Sequence, residues 1–364
     1  MKTNPLTSIT LSQAMAFQFR MINEITKVFH GADLITRGDL GVVSGFNKPQ
    51  TTAQAERVIA SFFGAEAALL VRGAGTAAIR YALFASMRPG DTILVHQAPV
   101  YPTTITSFEM MGLKTVYADF NDINELNHVL DTHPEVKAAL VQYTRQKIDD
   151  GYDMETVVKT IKRRRDIPII TDDNYAVMKV DKIGTQCGAD LSCFSTFKLL
   201  GPEGIGCIVG KKAFIDMLKQ HHYSGGLQTQ GHEALDVLHG LVYAPVALAI
   251  QAQVNDEVVA RLCANEIPEV KWVGIANAQS KVLLVEFHQN IAKEVCKNAV
   301  HLGAAPHPVG AESKYEMVPM FYRVSGTFSA QDATLEARMI RINPMRSGAD
   351  TIIRILKEAI KRVM

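Results

Sequence analysis

The sequence predicts an α/β protein, with a mostly parallel seven-stranded sheet sandwiched by helices and a smaller C-terminal α+β domain. Between about residues 65 and 210, short runs rich in β-branched and small apolar residues alternate with longer segments of helical spacing. The runs are apolar at nearly every position, which is typical of parallel strands buried on both faces. After about residue 255 this alternation stops, which indicates a second and smaller domain.

Seven candidate strands of four or five residues account for the large sheet. They are AALLV (67–71), TILVH (92–96), KTVYA (114–118), AALVQ (138–142), PIIT (168–171), LSCFS (191–195) and GCIVG (206–210). The segments between them are long enough for helical crossovers, which are right-handed when they join parallel strands.

The helix before the first strand has the pattern of a helix that packs on a sheet. In TTAQAERVIASFF, one apolar stripe is formed by Val58, Ile59, Phe62 and Phe63. We expect Thr51 or Thr52 to be its N-cap, because a hydroxyl can accept a hydrogen bond from an N–H group of the first turn.

The C-terminal domain is predicted to contain two strands, each followed by a helix. In order, it contains SKVLLVEF (280–287), IAKEVCKNAVHLG (291–303), MIRIN (339–343) and a closing helix from Ser347. Ser347 and Asp350 have the spacing of a capping box. We therefore expect an N-terminal arm over 1–45, a large domain over 46–255 that contains the sheet, and a small domain over 256–364.

Length and charge exclude several classes of function. The 364 residues favour two unequal domains, and 38 Lys and Arg against 37 Asp and Glu give a net charge of +1. This balance argues against a nucleic-acid or acidic-lipid partner. The longest apolar stretch, LVYAPVALAI (241–250), contains Pro245 and is about half of a membrane span.

The cysteines and the N-terminus indicate where the protein works. The five cysteines, an odd number without C-x-x-C spacing, are Cys187, Cys193, Cys207, Cys263 and Cys296. We expect reduced thiols in a cytoplasmic protein, because disulfides are rare there. The first ten residues, MKTNPLTSIT, have no apolar core of a signal peptide.

Lys198 is the first candidate for chemistry. It lies just past the strand LSCFS, and α/β sheets bind ligands at the carboxyl ends of their strands. An ordinary surface lysine is the alternative interpretation. The hydroxyls of Ser195 and Thr196 before it, and the glycine-rich turn after it, favour a site.

Two carboxylates, Asp172 and Asp173, follow the strand PIIT. A metal site is weakly indicated, because no third ligand follows at a suitable spacing, and a simple turn is also possible from the sequence. A carboxylate that pairs with a protonated pyridine nitrogen, upstream of a lysine that holds an aldehyde, fits better. That pairing is what pyridoxal phosphate chemistry needs.

Two further features complete the constellation. The turn in VRGAGTAAIRYAL begins a helix after the first strand, and backbone N–H groups at a helix N-terminus bind a phosphate. The turn is neither a Walker A sequence nor a complete G-x-G-x-x-G fingerprint. In HQAPVYPTT, Tyr101 could stack on a flat ring or could pack against its loop.

These residues resemble the fold-type I family of pyridoxal-phosphate enzymes, which includes class V aminotransferases and the cystathionine lyases and synthases. AGTAAI resembles the family's Ser-Gly-x-x-Ala phosphate turn, with Ala74 in the place of serine, and Tyr101-x-x-Thr104 resembles its stacking motif. DDNY (172–175) resembles Asp-x-x-Tyr, and FSTFKLLGPEGIG resembles Ser-x-x-Lys…Gly-Pro-x-Gly-x-Gly. The resemblance spans about residues 45–345, and the whole chain is similar to the YhfS-type, aminotransferase-like branch.

The resemblance implies a role for each position. Lys198 would form the internal aldimine and Asp172 would pair with the pyridine nitrogen, with Asp173 as the alternative suggested by the Asp-Asn-Thr variant of the lyases. The cofactor would be bound by Ala74, Gly75, Thr76, Tyr101, Asp172, Tyr175, Ser195 and Lys198. Arg341 in MIRIN would bind the substrate carboxylate, with Arg323 in FYRVSG as its rival. The resemblance implies no metal.

The expected function is that of an aminotransferase-like enzyme on a small amino acid or amine. A carbon–sulfur or β-eliminating lyase and a non-catalytic pyridoxal-phosphate-binding protein are the alternatives. A cysteine desulfurase needs a persulfide-forming Cys on a mobile loop, whereas Cys193 and Cys207 are predicted in strands and Cys296 in a helix. Members of this family usually build the active site at a dimer interface, so the resemblance implies a homodimer or a dimer of dimers. Ser224–Gly226 would then line the active site of the neighbouring subunit.

The remaining charged motifs have ordinary interpretations. KRRRD (162–166) is predicted to end a crossover helix, where cations interact favourably with the helix dipole. His221 and His222 are adjacent, and adjacent histidines rarely converge on one metal ion.

Overall fold

The chain forms two sheets, one of seven strands and one of four. The computed structural model describes residues 1–144, 147–277, 281–308, 312–324, 326–329 and 332–364. Its strands are β1 Ala67–Arg72, β2 Thr92–His96, β3 Lys114–Ala118, β4 Val136–Gln142, β5 Ile169–Asp172, β6 Leu191–Ser195, β7 Ile205–Gly210, β8 Val270–Ala276, β9 Val282–Phe287, β10 Met320–Arg323 and β11 Met339–Asn343. Its α-helices are α1 Leu11–Thr26, α2 Gln50–Phe63, α3 Ala74–Ser86, α4 Pro102–Met111, α5 Ile123–Thr132, α6 Met154–Arg164, α7 Lys212–His221, α8 Gly231–Cys263, α9 Ala292–His301, α10 Gly326–Ser329, α11 Leu335–Arg338 and α12 Ala349–Lys361.

Contacts within the chain group it into two compact units. The larger unit contains Ser12–Thr144 and Tyr152–Pro245, and the smaller one contains Met1–Leu11, Arg145–Gly151 and Val246–Met364. The division expected from the sequence, at residues 45/46 and 255/256, rests on pattern alone and stays a prediction.

The larger unit contains the predicted sheet. Its strand order is β1-β7-β6-β5-β4-β2-β3, and β7 runs antiparallel to both of its neighbours while the other pairs are parallel. All seven predicted strands are confirmed to within two residues at either end. Because β7 reverses direction between β1 and β6, the carboxyl ends of β1, β6, β5, β4 and β2 lie at one edge, where the start of β7 also lies.

The smaller unit contains a four-stranded antiparallel sheet in the order β10-β11-β9-β8. The predicted strands MIRIN and SKVLLVEF are confirmed as β11 and β9, although Ser280 lies outside the described residues. Helices α9 and α12 pack their apolar faces in one core with β9 and β11. The strands β8 and β10 were not predicted, because β8 is only partly buried and β10 has four residues.

Helix α8, Gly231–Cys263, contains the longest apolar stretch of the sequence, residues 241–250. Its 33 residues include Pro245, and among the described residues it is the one helix whose length and apolar composition would suffice to cross a membrane. Within its most apolar 18-residue window, 61% of the residues are buried inside the protein. A buried core helix has the same composition, so the feature is weak evidence for a membrane span.

The predicted caps of two helices were wrong. Helix α2 begins after Pro49, and the Thr52 hydroxyl donates to the carbonyl of Thr229 at 2.7 Å instead of capping. The cap comes from outside the helix, because the Asp39 carboxylate accepts the N–H groups of Gln50 at 2.6 Å and Thr51 at 2.9 Å. These N–H groups have no partner within the helix, so a distant acidic side chain replaces the local hydroxyl.

Helix α12 likewise lacks the expected capping box. Its N-cap is Gly348, without a side-chain cap. Asp350 instead forms an ion pair with Arg261 at 2.7 Å, which explains why the carboxylate does not turn back to the helix start.

We expect Asp39→Ala to lower the free energy of unfolding by about 1–2 kcal/mol at pH 7, because two N–H groups of α2 lose their acceptor. Hydrogen bonds from Thr51 and Gln50 outweigh the effect of burial and lower the pKa of Asp39. The contribution is therefore present above the ordinary aspartate pKa and is lost as the pH falls through the lowered one. Urea unfolding at pH 7 and at acidic pH measures it.

The control for this prediction is Asp39→Asn, which keeps an acceptor oxygen and should retain most of the stability. Equal stabilities of wild type and Asp39→Ala at pH 7 would contradict the capping role.

Candidate active site

The carboxyl ends of two neighbouring strands bring the two main candidates together. Asp172 is the last residue of β5, and it lies opposite Cys193 of the parallel strand β6. Lys198 lies in a 3-10 turn, Thr196–Leu199, directly after β6. The predicted acid and the predicted lysine therefore follow adjacent strands at the same edge of the sheet.

Lys198 is half-buried, and its surroundings are polar and aromatic. Its Nζ lies 3.8 Å from the centroid of the Tyr175 ring, which is a favourable position for an ammonium over an aromatic face. Tyr175 is buried and has a φ of +67°, a left-handed conformation that is rare for a bulky residue. The chain thus accepts backbone strain at the residue that contacts the lysine.

The two aspartates face different surroundings. Burial raises the pKa of Asp172, while the charge of Lys198 and hydrogen bonds from Asn174 oppose this rise. Asp173 accepts the N–H of Gly184 at 3.0 Å, and burial raises its pKa to about 7 against the hydroxyls of Ser192 and Thr171. Consecutive side chains at a strand end point to opposite faces. Of the two, Asp172 is therefore the carboxylate whose ionisation responds to Lys198.

The glycine turn after β1 forms the start of α3. Gly73 is its N-cap with φ +104°, and Ala74 also has a positive φ of +56°. The N–H of Ala74 donates to the Gly204 carbonyl at 2.9 Å, and the first bond of the helix runs from Ala77 N to Gly73 O. The N–H groups of Gly75 and Thr76 precede that bond, so helix geometry leaves them for an anion.

A contact between two hydroxyl groups joins the same helix start to helix α4. The Thr76 hydroxyl donates to that of Thr103 in α4 at 3.2 Å, which ties the two helix starts together. Ser195 is buried at the end of β6. Ala74 has no hydroxyl. Its carbonyl oxygen would lie only 2.1 Å from a Cβ at position 206. This close approach explains why glycine is needed at 206.

Asn174 is a site residue that the sequence reasoning missed. Its Nδ2 donates to Asp172 Oδ1 at 2.7 Å, and its Oδ1 accepts the N–H of Ser195 at 2.9 Å. A Cβ built on Gly75 would lie 2.6 Å from Asn174 Oδ1. The Asn174 amide thus connects Asp172, the end of β6 and the start of α3. The sequence did contain a signal for this residue, because DDNY (172–175) places an amide directly after two carboxylates.

Tyr101 lies at the edge of the same region. It is the N-cap residue of α4, and its side chain is 40% exposed. Thr104, the other residue of its motif, is buried, and its N–H donates to the Tyr101 carbonyl at 2.9 Å. The motif therefore fixes the start of α4 and leaves the tyrosine ring accessible for stacking.

The two candidate arginines of the smaller unit differ in burial. Arg341 is buried in β11; its Nε donates to the Arg323 carbonyl at 2.8 Å, and its guanidinium lies 4.1 Å from the centroid of the Tyr322 ring. Arg323 is exposed in the neighbouring strand β10. The guanidinium of Arg341 is therefore held in one orientation, whereas that of Arg323 faces solvent.

In the part of the chain that the structure describes, the buried cysteines and the metal-ligand residue types form no second reactive site. Burial raises the pKa of Cys193 and Cys207 well above the ordinary thiol value, and it raises that of Cys187 to about 11 and that of Cys296 to about 12. Such thiols are poor nucleophiles. Within the described residues, no group of three or more His, Cys, Asp or Glu side chains could hold a metal ion.

The basic residues at 162–166 form ion pairs and hydrogen bonds with other groups of the same chain. It ends α6 as predicted, with Lys162, Arg163 and Arg164 in the last turn. Lys162 pairs with Asp190 and Arg164 with Asp131, and Arg165 donates to backbone carbonyls near the end of α5. These contacts explain the run without an outside ligand.

Known proteins are similar to this chain over its whole length. The class-V aminotransferase family matches residues 43–237, and the YhfS-like C-terminal domain matches residues 256–356. The uncharacterized protein YhfS of Escherichia coli K12 is 51% identical over 363 residues, which cover 100% of both chains. The crystal structure of Escherichia coli YhfS, described as a pyridoxal-5'-phosphate-dependent protein, has a TM-score of 0.98 and covers 100% of both chains.

More distant structures share the fold alone. Cystathionine γ-lyase CalE6 of Micromonospora echinospora has a TM-score of 0.74 at 16% identity and covers 95% of this chain and 99% of its own. A carbon–sulfur lyase of Clostridium novyi involved in aluminium resistance has a TM-score of 0.70 at 19% identity, covering 97% and 91%.

Fold and site together define a protein of the fold-type I pyridoxal-phosphate-dependent superfamily. The chain belongs to the class-V aminotransferase family, in the branch that carries a YhfS-like C-terminal domain. Pyridoxal 5'-phosphate is the cofactor of this family.

The residues at the sheet edge fit this cofactor. The N-terminus of α3 offers N–H groups to a phosphate, Lys198 offers a primary amine to an aldehyde, and Asp172 offers a carboxylate to a pyridine nitrogen. The close approach of Gly75 to Asn174 leaves no space for a side chain at the phosphate turn.

We expect Gly75→Ala to weaken pyridoxal phosphate binding at least tenfold, because its Cβ would lie 2.6 Å from Asn174 Oδ1 and would displace the helix start or the amide. A tenfold change in Kd is about 1.4 kcal/mol. Absorbance titration of the cofactor-free protein measures it.

The matched control is Gly31→Ala, since no atom lies within 4 Å of a Cβ there. This variant should bind the cofactor as wild type does. Unchanged affinity in a folded Gly75→Ala variant would show that the turn does not hold the phosphate.

Proposed function

We propose that this chain is an aminotransferase-like enzyme that acts on a small amino acid or amine, with Lys198 as the residue that carries the cofactor. The observation that supports this proposal most is the position of Asp172 and Lys198 at the carboxyl ends of two adjacent parallel strands. Pyridoxal phosphate needs a carboxylate at its pyridine nitrogen and an amine at its aldehyde. Asp172 and Lys198 provide these two groups at one edge of the sheet.

Each residue then has a defined task. When bound, pyridoxal phosphate supplies an electron sink for the charge that develops at the substrate α-carbon. Asp172 would hold the proton on the pyridine nitrogen, and Tyr101 would cover the ring. The N–H groups of Gly75 and Thr76 would bind the phosphate beside Ala74, together with the hydroxyls of Thr76 and Ser195.

Lys198 would have two successive tasks. It would first hold the cofactor through Nζ, and after the substrate amine has displaced it, the same Nζ would accept the proton from the α-carbon. Tyr175 would orient the amine, since its ring lies 3.8 Å from Nζ. Lys198 Nζ would then return that proton, and the carbon to which it delivers the proton would distinguish transamination from other outcomes.

A panel of amino acids and small amines added to the cofactor-loaded protein tests the reaction type. We expect the absorption spectrum to change to that of the pyridoxamine form, with release of the matching oxo acid, for at least one member of the panel. Pyruvate and ammonia without the pyridoxamine form would indicate a lyase. An unchanged spectrum with every member would indicate a protein that binds the cofactor without catalysis.

The control for this experiment is Lys198→Ala, which should show no conversion within the time of the assay. Borohydride treatment of the wild type, followed by peptide mass spectrometry, should fix the cofactor to the peptide that contains Lys198. Fixation to another lysine would overturn the assignment.

We also propose that Arg341 binds the substrate carboxylate. Its buried position, the bond from Nε to the Arg323 carbonyl and its contact with Tyr322 support this, because a guanidinium of fixed orientation suits a bidentate carboxylate.

We expect Arg341→Lys to raise the KM for carboxylate substrates at least tenfold, with a smaller change in kcat, because lysine cannot form the bidentate pair. Arg323→Lys is the matched control and should leave KM unchanged. The reverse pattern would assign the carboxylate to Arg323.

A further inference from the structure

The side chain of Asn174 lies between the candidate acid and the turn that carries the candidate lysine. Its Nδ2 donates to Asp172 Oδ1 at 2.7 Å, and its backbone N–H donates to the same oxygen at 3.1 Å. Its Oδ1 accepts the N–H of Ser195 at 2.9 Å, and Ser195 is the N-cap of the turn that contains Lys198. Both Asn174 and Asp172 are buried, so these hydrogen bonds are shielded from water.

A second amide reaches the same carboxylate from the neighbouring strand. Gln142 is the last residue of β4 and lies opposite Asp172 in the parallel pairing of β4 with β5. The N–H of Tyr143 donates to the Asp172 carbonyl at 2.9 Å, which joins the two strand ends. The Gln142 side chain hydrogen-bonds the carboxylate and, like that of Asn174, lowers its pKa. Two neutral amides therefore support one buried charge.

These amides oppose the effect of burial on Asp172. Burial raises the pKa of Asp172, whereas the charge of Lys198 and the two amides lower it. Hydrogen bonds to the charged form of a carboxyl group favour that form. A carboxylate that pairs with a pyridine nitrogen competes with it for one proton, so amide donors that make the carboxylate less basic keep the proton on the nitrogen.

We propose that Asn174 is a positioning residue whose Nδ2 holds Asp172 as a carboxylate for the pyridine nitrogen and whose Oδ1 holds the start of the turn that carries Lys198. Gln142 supports the same carboxylate from β4. The proposal rests on the proposed function for its purpose, but both of its halves concern contacts within the chain. They can therefore be tested in the protein without its cofactor.

The contact with Asp172 is tested by the titration of that carboxyl group. ¹³C NMR of the protein with γ-labelled aspartate follows each carboxyl group, and the resonance that disappears in Asp172→Asn identifies Asp172. In Asn174→Leu, which keeps a branched side chain without a donor, we expect the pKa of Asp172 to rise by at least one unit, about a tenfold change in proton affinity. Gln142→Leu should raise it as well.

The contact with Ser195 is tested by amide hydrogen exchange. In wild type the Ser195 N–H donates to Asn174 Oδ1 and should be protected. In Asn174→Leu this N–H loses its acceptor, and we expect its exchange to be at least ten times faster.

Asn255→Leu is the matched control, since Asn255 is also buried and its Nδ2 donates to the Lys281 carbonyl at 2.7 Å in the smaller unit. It should change neither measurement. An unchanged pKa of Asp172 in folded Asn174→Leu would overturn the role toward the acid, and unchanged exchange would overturn the role toward the turn. If this variant does not fold, Asn174→Ala decides by the same two results.

The loaded protein connects these results with the cofactor. With pyridoxal phosphate labelled with ¹⁵N in its ring, we expect the nitrogen in Asn174→Leu to lose its proton to the Asp172 carboxylate. A nitrogen that stays protonated would overturn the role of Asn174 toward the cofactor. Fixation of the cofactor to a lysine other than Lys198 would refute the proposed function and leave the titration and the exchange intact.

Discussion

The amide of Asn174 is the contact on which the site depends. One side chain donates to Asp172, accepts from the backbone of Ser195 and packs on Gly75, so it joins the ends of β5 and β6 to the start of α3. An amide suits this position because it donates and accepts through fixed atoms, and it remains neutral beside the carboxylate of Asp172. Its buried hydrogen bonds would each be costly to leave unmade.

The topology of the sheet makes this contact possible. The reversal of β7 places its start beside the end of β1, where the Gly204 carbonyl receives the N–H groups of Gly73 and Ala74. The start of α3, the turn that carries Lys198 and the carboxylate of Asp172 therefore lie at one edge of the sheet. At that edge the alternation of side chains along the chain separates Asp172 from Asp173, so that two adjacent carboxylates have different partners.

Much of the fold could be predicted from the sequence, because strands buried on both faces leave short apolar runs that alternate with longer segments of helical spacing. The candidate site was predicted where a motif is local, as around Lys198 and DDNY. Asn174 lies inside DDNY, but its role was missed because it depends on contacts with Ser195 and Gly75, which are distant in the sequence. Asp39 was missed because the helix start that it caps comes eleven and twelve residues later. The strands β8 and β10 were missed because a half-exposed strand and a four-residue strand carry little periodicity.

The most direct test of the site concerns the protonation of the cofactor's ring. The protein loaded with pyridoxal phosphate labelled with ¹⁵N in the pyridine ring reports that state through the nitrogen chemical shift. We expect a protonated nitrogen in wild type and in Asp173→Asn, and a deprotonated one in Asp172→Asn, since Asp172 shares its surroundings with Lys198. A protonated nitrogen in Asp172→Asn that is lost in Asp173→Asn would contradict the assignment of Asp172.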